Sequence, residues 1–468
     1  MDMLLFSLNK TSGTPLYEQL YNGIKDAIIQ QKIKVAEKLP SKRKLADFLN
    51  ISQTTIELAY AQLLAEGYIS SKARVGYFVE ALDELPYIEI ATPKTHFKPS
   101  VIPSYRYDFN PSFIDTANFP FSTWRKYARD SYDEANAHLL LAGDAQGEYV
   151  LRTEIADYLY QSRGVQCQPE QIVIGSGTEQ LLPMLIRLFN HYTVFALEHP
   201  GYPSVARILR QHNRTPLPIK VDEEGIQVQA LEQTNTDVVY LTPSHQFPTG
   251  AVLSATRRTQ LLNWAAASPS RFIIEDDYDS EFRYTGKPIP ALQALDANDK
   301  VIYMSTFTKS LMPSLRVAYF VLPLSLMATY NKLFTYYSST VPRFDQHIVA
   351  NFMRDGHFAK HLNRMRKVYR KKHNELIEAL QHYPDVSISG SQAGMHVVIT
   401  IAHQSEQQLF EQAKKAGIAV YPMSRYAIRH EPTTAAQFLL GFGGLTSIAK
   451  AVDDLMHVWQ IKKRLGHN

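Results

Sequence analysis

The chain has 468 residues, too many for one ordinary domain and suited to two or three. Hydrophobic residues make up 45% and charged residues 20%, which excludes a disordered chain, and a net charge of +4 leaves nucleic-acid binding open without arguing for it. One cysteine, Cys167, excludes an intrachain disulfide and fits a reducing compartment.

Met1 to Gly13 has neither a positive n-region nor a small-residue cleavage site, so no signal peptide is expected. No apolar run approaches the roughly 18–20 residues of a membrane span. A cytoplasmic protein is therefore expected. Residues 1–80 hold ten Lys or Arg and eight Asp or Glu. Any DNA contact there must come from placed side chains, because the bulk charge is too small.

Residues 14–80 read as a compact helical unit ending in a hairpin. Pro15 opens a helix with Leu16, Leu20, Ile24, Ala27 and Ile28 at helical spacing. Ser41 can cap a second helix carrying Leu45, Phe48 and Leu49, and Ser52 a third carrying Ile56, Tyr60, Leu63 and Leu64. Gly67 ends that helix. Two β-like runs, at 68–70 and 77–79, flank Arg74-Val75-Gly76, a wing-like turn. Residues 81–105 hold Pro86, Pro93, Pro99 and Pro103 with little periodicity, the composition of a semi-rigid linker.

From 106 to 468, helical patterns alternate with short apolar strands. Strands are predicted at 171–175, 193–197, 238–241, 272–275, 301–306 and 318–322. This is the pattern of an α/β domain with a mostly parallel sheet, whose ligands sit at the strand C-terminal ends. Of the 16 histidines, His357 and His361 are four apart, but they lack a carboxylate partner and read as a surface helix face. No metal site is expected.

Three segments at strand ends carry chemistry. Gly175-Ser176-Gly177-Thr178 joins a strand to a helix and can cradle an anion, or is simply a tight turn with a capped helix. Glu275-Asp276-Asp277-Tyr278-Asp279 could be a solvated strand end, a magnesium site, or a carboxylate for a protonated heterocyclic nitrogen. Lys309 stands among hydroxyl residues in Ser305-Thr306-Phe307-Thr308-Lys309-Ser310, with Arg316 seven residues on. Alone it would read as a surface lysine. Asp276 and Lys309 are 33 residues apart, one strand-helix-strand unit. Together the three suit pyridoxal 5′-phosphate (PLP) better than magnesium, because a metal has no need of Lys309 and Arg316.

Four stretches make a resemblance specific: Glu198 to Pro203 (EHPGYP), Thr242 to Gly250 (TPSHQFPTG), Glu275 to Phe282 (EDDYDSEF) and Ser305 to Arg316 (STFTKSLMPSLR). From about residue 106 on, the chain resembles a fold-type I PLP-dependent aminotransferase domain, and in detail the MocR/GabR-like subfamily of GntR-type regulators. The resemblance implies that Lys309 carries the internal aldimine, Asp276 pairs with the pyridine nitrogen, Tyr278 contacts the ring 3′-oxygen and Tyr202 packs on the ring. It implies a phosphate held by Ser176, Gly177, Thr178, Thr306 and Arg316, and Arg425 is a candidate for an effector carboxylate, or a surface loop arginine.

The chain also departs from the pattern. Phe247 stands where aminotransferases have an asparagine on the ring oxygen, a departure that favours a sensor over efficient transamination. Ala142 replaces a tyrosine of many relatives, and Ser204 an arginine of a GABA-sensing relative, which argues against GABA as effector.

Leu39 to Ala46, Ile51 to Ile56 and Leu64 to Tyr68 resemble the GntR-type winged helix-turn-helix. The alternative for this unit is a helical protein-interaction module. A recognition helix offers its first side chains to base edges while neighbouring groups hold phosphate. That places Gln53, Thr54 and Thr55 at the bases, Ser41, Arg43 and Lys44 beside the backbone, and Arg74 and Gly76 in the wing. Glu57 should contact a cytosine amine or face away.

The expected function is a PLP-dependent, DNA-binding transcription regulator. It would sense PLP or an amine or amino-acid effector through an aldimine at Lys309. The resemblance implies a head-to-tail homodimer on double-stranded operator DNA. The alternative is a working aminotransferase with an accessory N-terminal domain.

Overall fold

The computed structural model describes residues 8–9, 12–81, 104–284, 289–429 and 434–464. The chain divides into two compact units, 1–101 and 102–468. Nearly all of the proposed linker, 82–103, lies outside the described residues.

The first unit contains helices Leu16–Ile29, Lys42–Leu49 and Gln53–Ala65, then an antiparallel hairpin of Ile69–Lys72 and Gly76–Val79. Leu20, Ile24, Leu45, Ile56, Ala59, Tyr60 and Leu63 form one buried core. Both serine caps form: Ser41 accepts from the Lys44 amide at 3.3 Å and Ser52 from the Thr55 amide at 3.2 Å. Between those two helices Asn50 takes a left-handed conformation (φ 49°), which turns the chain in a single residue. Leu64, expected on the inner face, is exposed, because Leu63 fills the core position beside it.

The second unit is built on an eight-stranded sheet among the described residues. Its spatial order is Ile172–Gly175, Ala318–Val321, Val301–Thr306, Phe272–Asp277, Val238–Leu241, Phe195–His199, Leu217–Asp222, Gly225–Ile226. The central strands pair in parallel, whereas Ala318–Val321 runs antiparallel to both its neighbours. The core of the sheet is apolar on both faces: Val173, Ile274, Ile302 and Phe320 pack on one side, and Ile174, Tyr303, Tyr319 and Val321 on the other. Each such side chain contributes about 1.5–3 kcal/mol when fully buried.

A four-stranded antiparallel sheet, in the order Val386–Ser389, His396–Ala402, Ala435–Gly441, Tyr421–Pro422, packs against helices His357–Gln381 and Ile448–Val458. The sequence reading did not place these strands. Tyr107–Asp108 pairs with Ile418–Ala419 and so ties the start of the unit to this smaller sheet. The surface assignment of His361 is corrected: it is buried and edge-on to Phe119, because the helix His357–Gln381 turns that face inward. Among the described residues no helix is long and apolar enough to cross a membrane.

Candidate cofactor site and DNA reader

One cavity opens at the C-terminal ends of the parallel strands. It is lined by Gly177 and Thr178, Tyr202, Thr242, Asp276 and Tyr278, Thr306, Thr308 and Lys309, and Arg316, with Pro111, Ser112 and His396 closing it from the smaller sheet's side. The reversed strand explains Arg316. Because Ala318–Val321 is antiparallel, its beginning meets Gly175 on one side and Thr306 on the other. A residue just before it therefore reaches the same rim as residues just after the parallel strands.

One end of the cavity is a cradle of donors. Gly177 (φ 137°) caps helix Thr178–Leu188 with no side-chain bond, leaving the first amides of the helix free to meet an anion. A Cβ at Gly177 would lie 2.3 Å from Arg316 Nη2, whose flexible end would have to shift, and the backbone at φ 137° itself favours glycine. Thr306 and Thr308 hydroxyls lie 2.7 Å apart on the facing loop. Arg316 Nη2 donates to Glu179 at 3.0 Å, a surface pair that a phosphate would have to share. Ser176 lies in the turn but is not among the lining residues. Its amide donates to Gln180.

Asp276 lies opposite. Burial pushes its carboxyl up to about 7, although a hydrogen bond from Tyr240 opposes the shift. No cationic side chain pairs with it among the described residues. Its neighbour Asp277 is held by Arg163 at 2.7 Å and Tyr303 at 2.7 Å. The strand end therefore presents one carboxylate anchored by Arg163 and one, Asp276, without an ion pair among the described residues. Lys309 Nζ donates to the Pro111 carbonyl, and burial lowers its amine to about 8, with Asp279 opposing. A lysine so shifted offers free base near neutral pH, as amine nucleophiles require.

Tyr278 Oη lies 3.0 Å from His245 Nδ1, which also meets Asp279 Oδ2 at 3.0 Å. Buried His396 lies beside them, kept neutral by burial and then by its neighbour His245. Ligand atoms of His245, Asp279 and His396 all lie within 4.8 Å of one another. Phe247 sits edge-on to Tyr202, Tyr278 and Tyr426, so an aromatic wall stands at this edge of the cavity.

Arg425 does not line this cavity. It is exposed and lies 4.8 Å over the Phe410 ring, while its neighbour Tyr426 packs inward on Phe247. Thr242, Tyr240 and His396 line the cavity although the sequence gives them no role, and Thr308 joins Thr306 from the hydroxyl-rich segment. His396 had no local signal, since only the smaller sheet brings it in.

In the first unit, Ser41, Arg43 and Lys44 are exposed at the start of one helix, and Gln53 and Thr54 at the start of the next. Thr55 is half-buried and its hydroxyl bonds Ser52 at 2.8 Å, so it serves the cap. Arg74 is exposed at the hairpin tip (φ 64°), and a Cβ on Gly76 would lie 3.0 Å from Lys38 Cε. Glu57 pairs with Lys42 at 3.4 Å, which draws its charge away from a phosphate.

A helix-turn-helix with a wing and an aminotransferase-type cavity define a transcription regulator carrying an aminotransferase domain. Residues 16–79 match the gntR family of bacterial regulatory proteins, and residues 110–435 match aminotransferase class I and II. The chain is 43% identical to an uncharacterised HTH-type transcriptional regulator of Bacillus subtilis strain 168, YdeL, across 98% of this chain and 100% of the relative. It is 30% identical to the probable rhizopine catabolism regulatory protein MocR of Rhizobium meliloti, across 94% and 92%. The α-aminoadipate aminotransferase LysN of Thermus thermophilus superposes with a TM-score of 0.66 at 25% identity, covering 75% of this chain and 92% of that one.

The chain belongs to the MocR-type GntR regulators, in which a gntR helix-turn-helix is fused to an aminotransferase class I and II domain. Pyridoxal 5′-phosphate is the cofactor of that domain, and the cavity fits it. The donor cradle at Gly177 suits a phosphate, and the buried Asp276 lacks the cation that a protonated pyridine nitrogen supplies. Lys309 presents its amine in the same cavity.

Proposed function

We propose that this protein is a cytoplasmic homodimeric regulator that binds operator DNA through its winged helix and reads a primary amine, an amino acid or PLP itself through the Lys309 cavity. The observation that carries the reading is Phe247. An aromatic wall in place of a ring-oxygen donor keeps a cavity able to hold the cofactor and drops a group used to turn it over. Bound there, the cofactor supplies an aldehyde that selects primary amines.

The chain's own residues do the rest. Lys309 presents a partly neutral amine, Asp276 receives the ring nitrogen, and Gly177, Thr178, Thr306, Thr308 and Arg316 orient the phosphate. Ser176 supports the turn. Tyr202 and Tyr278 flank the ring, with Tyr278 held by His245. In the reader, Gln53 and Thr54 face bases, Ser41, Arg43, Lys44 and Arg74 face phosphates, and Gly76 lets the wing backbone approach.

Regulation needs an effector with unequal affinity for two arrangements of the protein. The test is a mobility shift on the gene's own upstream DNA, with and without PLP and a panel of primary amines. Specific binding altered by PLP or one amine is expected. Indifference to all of them, together with multiple turnover of an amino donor and a keto acid, would overturn the reading in favour of an aminotransferase.

A further inference from the structure

A second cavity of about 480 Å³ lies in the same unit, outside the cofactor site. Three elements wall it: helix Tyr149–Arg163, the segment after strand Phe272–Asp277, and helix His357–Gln381. Four arginines line it, Arg163, Arg283, Arg366 and Arg370. Arg163 is fully engaged, by Asp277, the Ile289 carbonyl and the Ser244 hydroxyl. The other three are not.

Arg283 Nε is buried without a hydrogen-bond partner. Arg366 donates Nε to the Glu281 carbonyl at 2.8 Å and Nη1 to Asn363 at 2.9 Å, and neither acceptor carries a charge. Arg370 has no ion pair among the described residues. The carboxyl in the pocket, Glu281, is pushed up to about 7 by burial and then by Asp277, and it accepts from Tyr158 at 3.2 Å. It is therefore a weak counter-charge.

Three arginines that line one concave space beside a single carboxyl raised by burial leave an excess of positive charge there. A buried donor left without a partner is costly, and more so when it is charged. Guanidinium forks match the paired oxygens of an oxyanion, and the low surrounding dielectric strengthens the match. We propose that this pocket is a second site, separate from the cofactor cradle, for a phosphate-class oxyanion: inorganic phosphate or a small phosphate monoester. The concave, half-buried setting of Arg283 and Arg366 favours a small anion over the backbone of a nucleic acid.

The test is calorimetry on the cofactor-loaded full chain at constant ionic strength, titrating inorganic phosphate in one arm and glycerol phosphate in the other. One saturable site per chain is expected, and the tighter arm identifies the source. Arg370→Ala, at an exposed position, and Arg283→Met should each weaken it about tenfold or more while the cofactor's visible absorbance stays unchanged. No saturable binding in either arm, or affinity unchanged in both variants, overturns the proposal. So does binding lost on Arg316→Ala but kept in Arg370→Ala, which would place the anion in the cofactor cradle. If phosphate does not bind while Arg370→Ala weakens operator binding and lowers its salt dependence, the pocket is a DNA contact and the proposal fails.

Discussion

The two units recognise their ligands by opposite constructions. In the reader, every group placed for DNA lies between Ser41 and Gly76, on two capped helices and one hairpin, and nearly all are exposed. In the cofactor cavity, the lining runs from Pro111 to His396 and collects the ends of six strands of the large sheet and one of the smaller. The first works by charge in water, where single contacts are weak and many are needed. The second works by burial, which shifts Asp276 and Lys309 toward neutrality until a ligand of the right charge arrives. Damage should therefore be severe and local in the cavity, and graded in the reader.

The largest effect should come from Lys309→Ala. It removes the only amine lining the cavity among the described residues and should abolish the visible band of the bound cofactor. Far-ultraviolet circular dichroism should be unchanged. A retained band would remove Lys309 from the site. Gly177→Ala comes next. The added methyl group meets Arg316 and also strains a left-handed backbone. Cofactor affinity should fall about tenfold or more for a cost of roughly 1–3 kcal/mol, measured by equilibrium titration of the cofactor-free protein.

The lysine shift gives a test by pH. Below about 8 the Lys309 amine is mostly charged and unreactive, and above that value it is mostly free base. Loading of the cofactor onto cofactor-free protein should therefore quicken as pH rises through about 8, then level off. The sign for stability agrees. A base whose folded value lies below its ordinary 10.5 weighs against folding at lower pH, and this cost fades as pH climbs from about 8 toward 10.5. A loading rate flat across that window would mean that the amine is not desolvated.

The same contrast explains what the sequence disclosed. In the reader, Ser41, Ser52 and Gly67 stand next to the elements they bound, so the caps were legible. The six apolar strands were also legible, because burial on both faces makes them apolar throughout. The reversed direction of Ala318–Val321 was not, since its composition matches its parallel neighbours. In the smaller sheet only the edge strand Val386–Ser389 mixes apolar and polar positions; His396–Ala402 and Ala435–Gly441 are largely apolar and carry a strand signal that was there to read. His396 and Tyr240 escaped with their partners, for a cavity assembled across the chain leaves no spacing to read. Arg425 shows the reverse risk: its segment was noticed, but the short helix Met423–Tyr426 turns Tyr426 inward and Arg425 outward.

In the reader, Arg43→Ala should weaken operator binding and lower the slope of log K against log salt by about 0.9, the value for one lost phosphate contact. An unchanged slope would take Arg43 off the DNA.

The smallest effect should come from Ser52→Ala, and it separates folding from recognition within the reader. Ser52 is a capping residue and not one of the groups proposed to touch DNA. Its hydroxyl accepts from the Thr55 amide and bonds the Thr55 hydroxyl, so it fixes where helix Gln53–Ala65 begins. Its loss should cost about 1 kcal/mol of stability, as removal of a serine cap does. Because Gln53 and Thr54 occupy the first turn of that helix, fraying should also blur their placement. Operator affinity should then fall slightly, while the salt slope, which counts phosphate contacts, stays where it was. A changed slope would mean that the cap itself sits against the DNA backbone, and that cap and contact are one group.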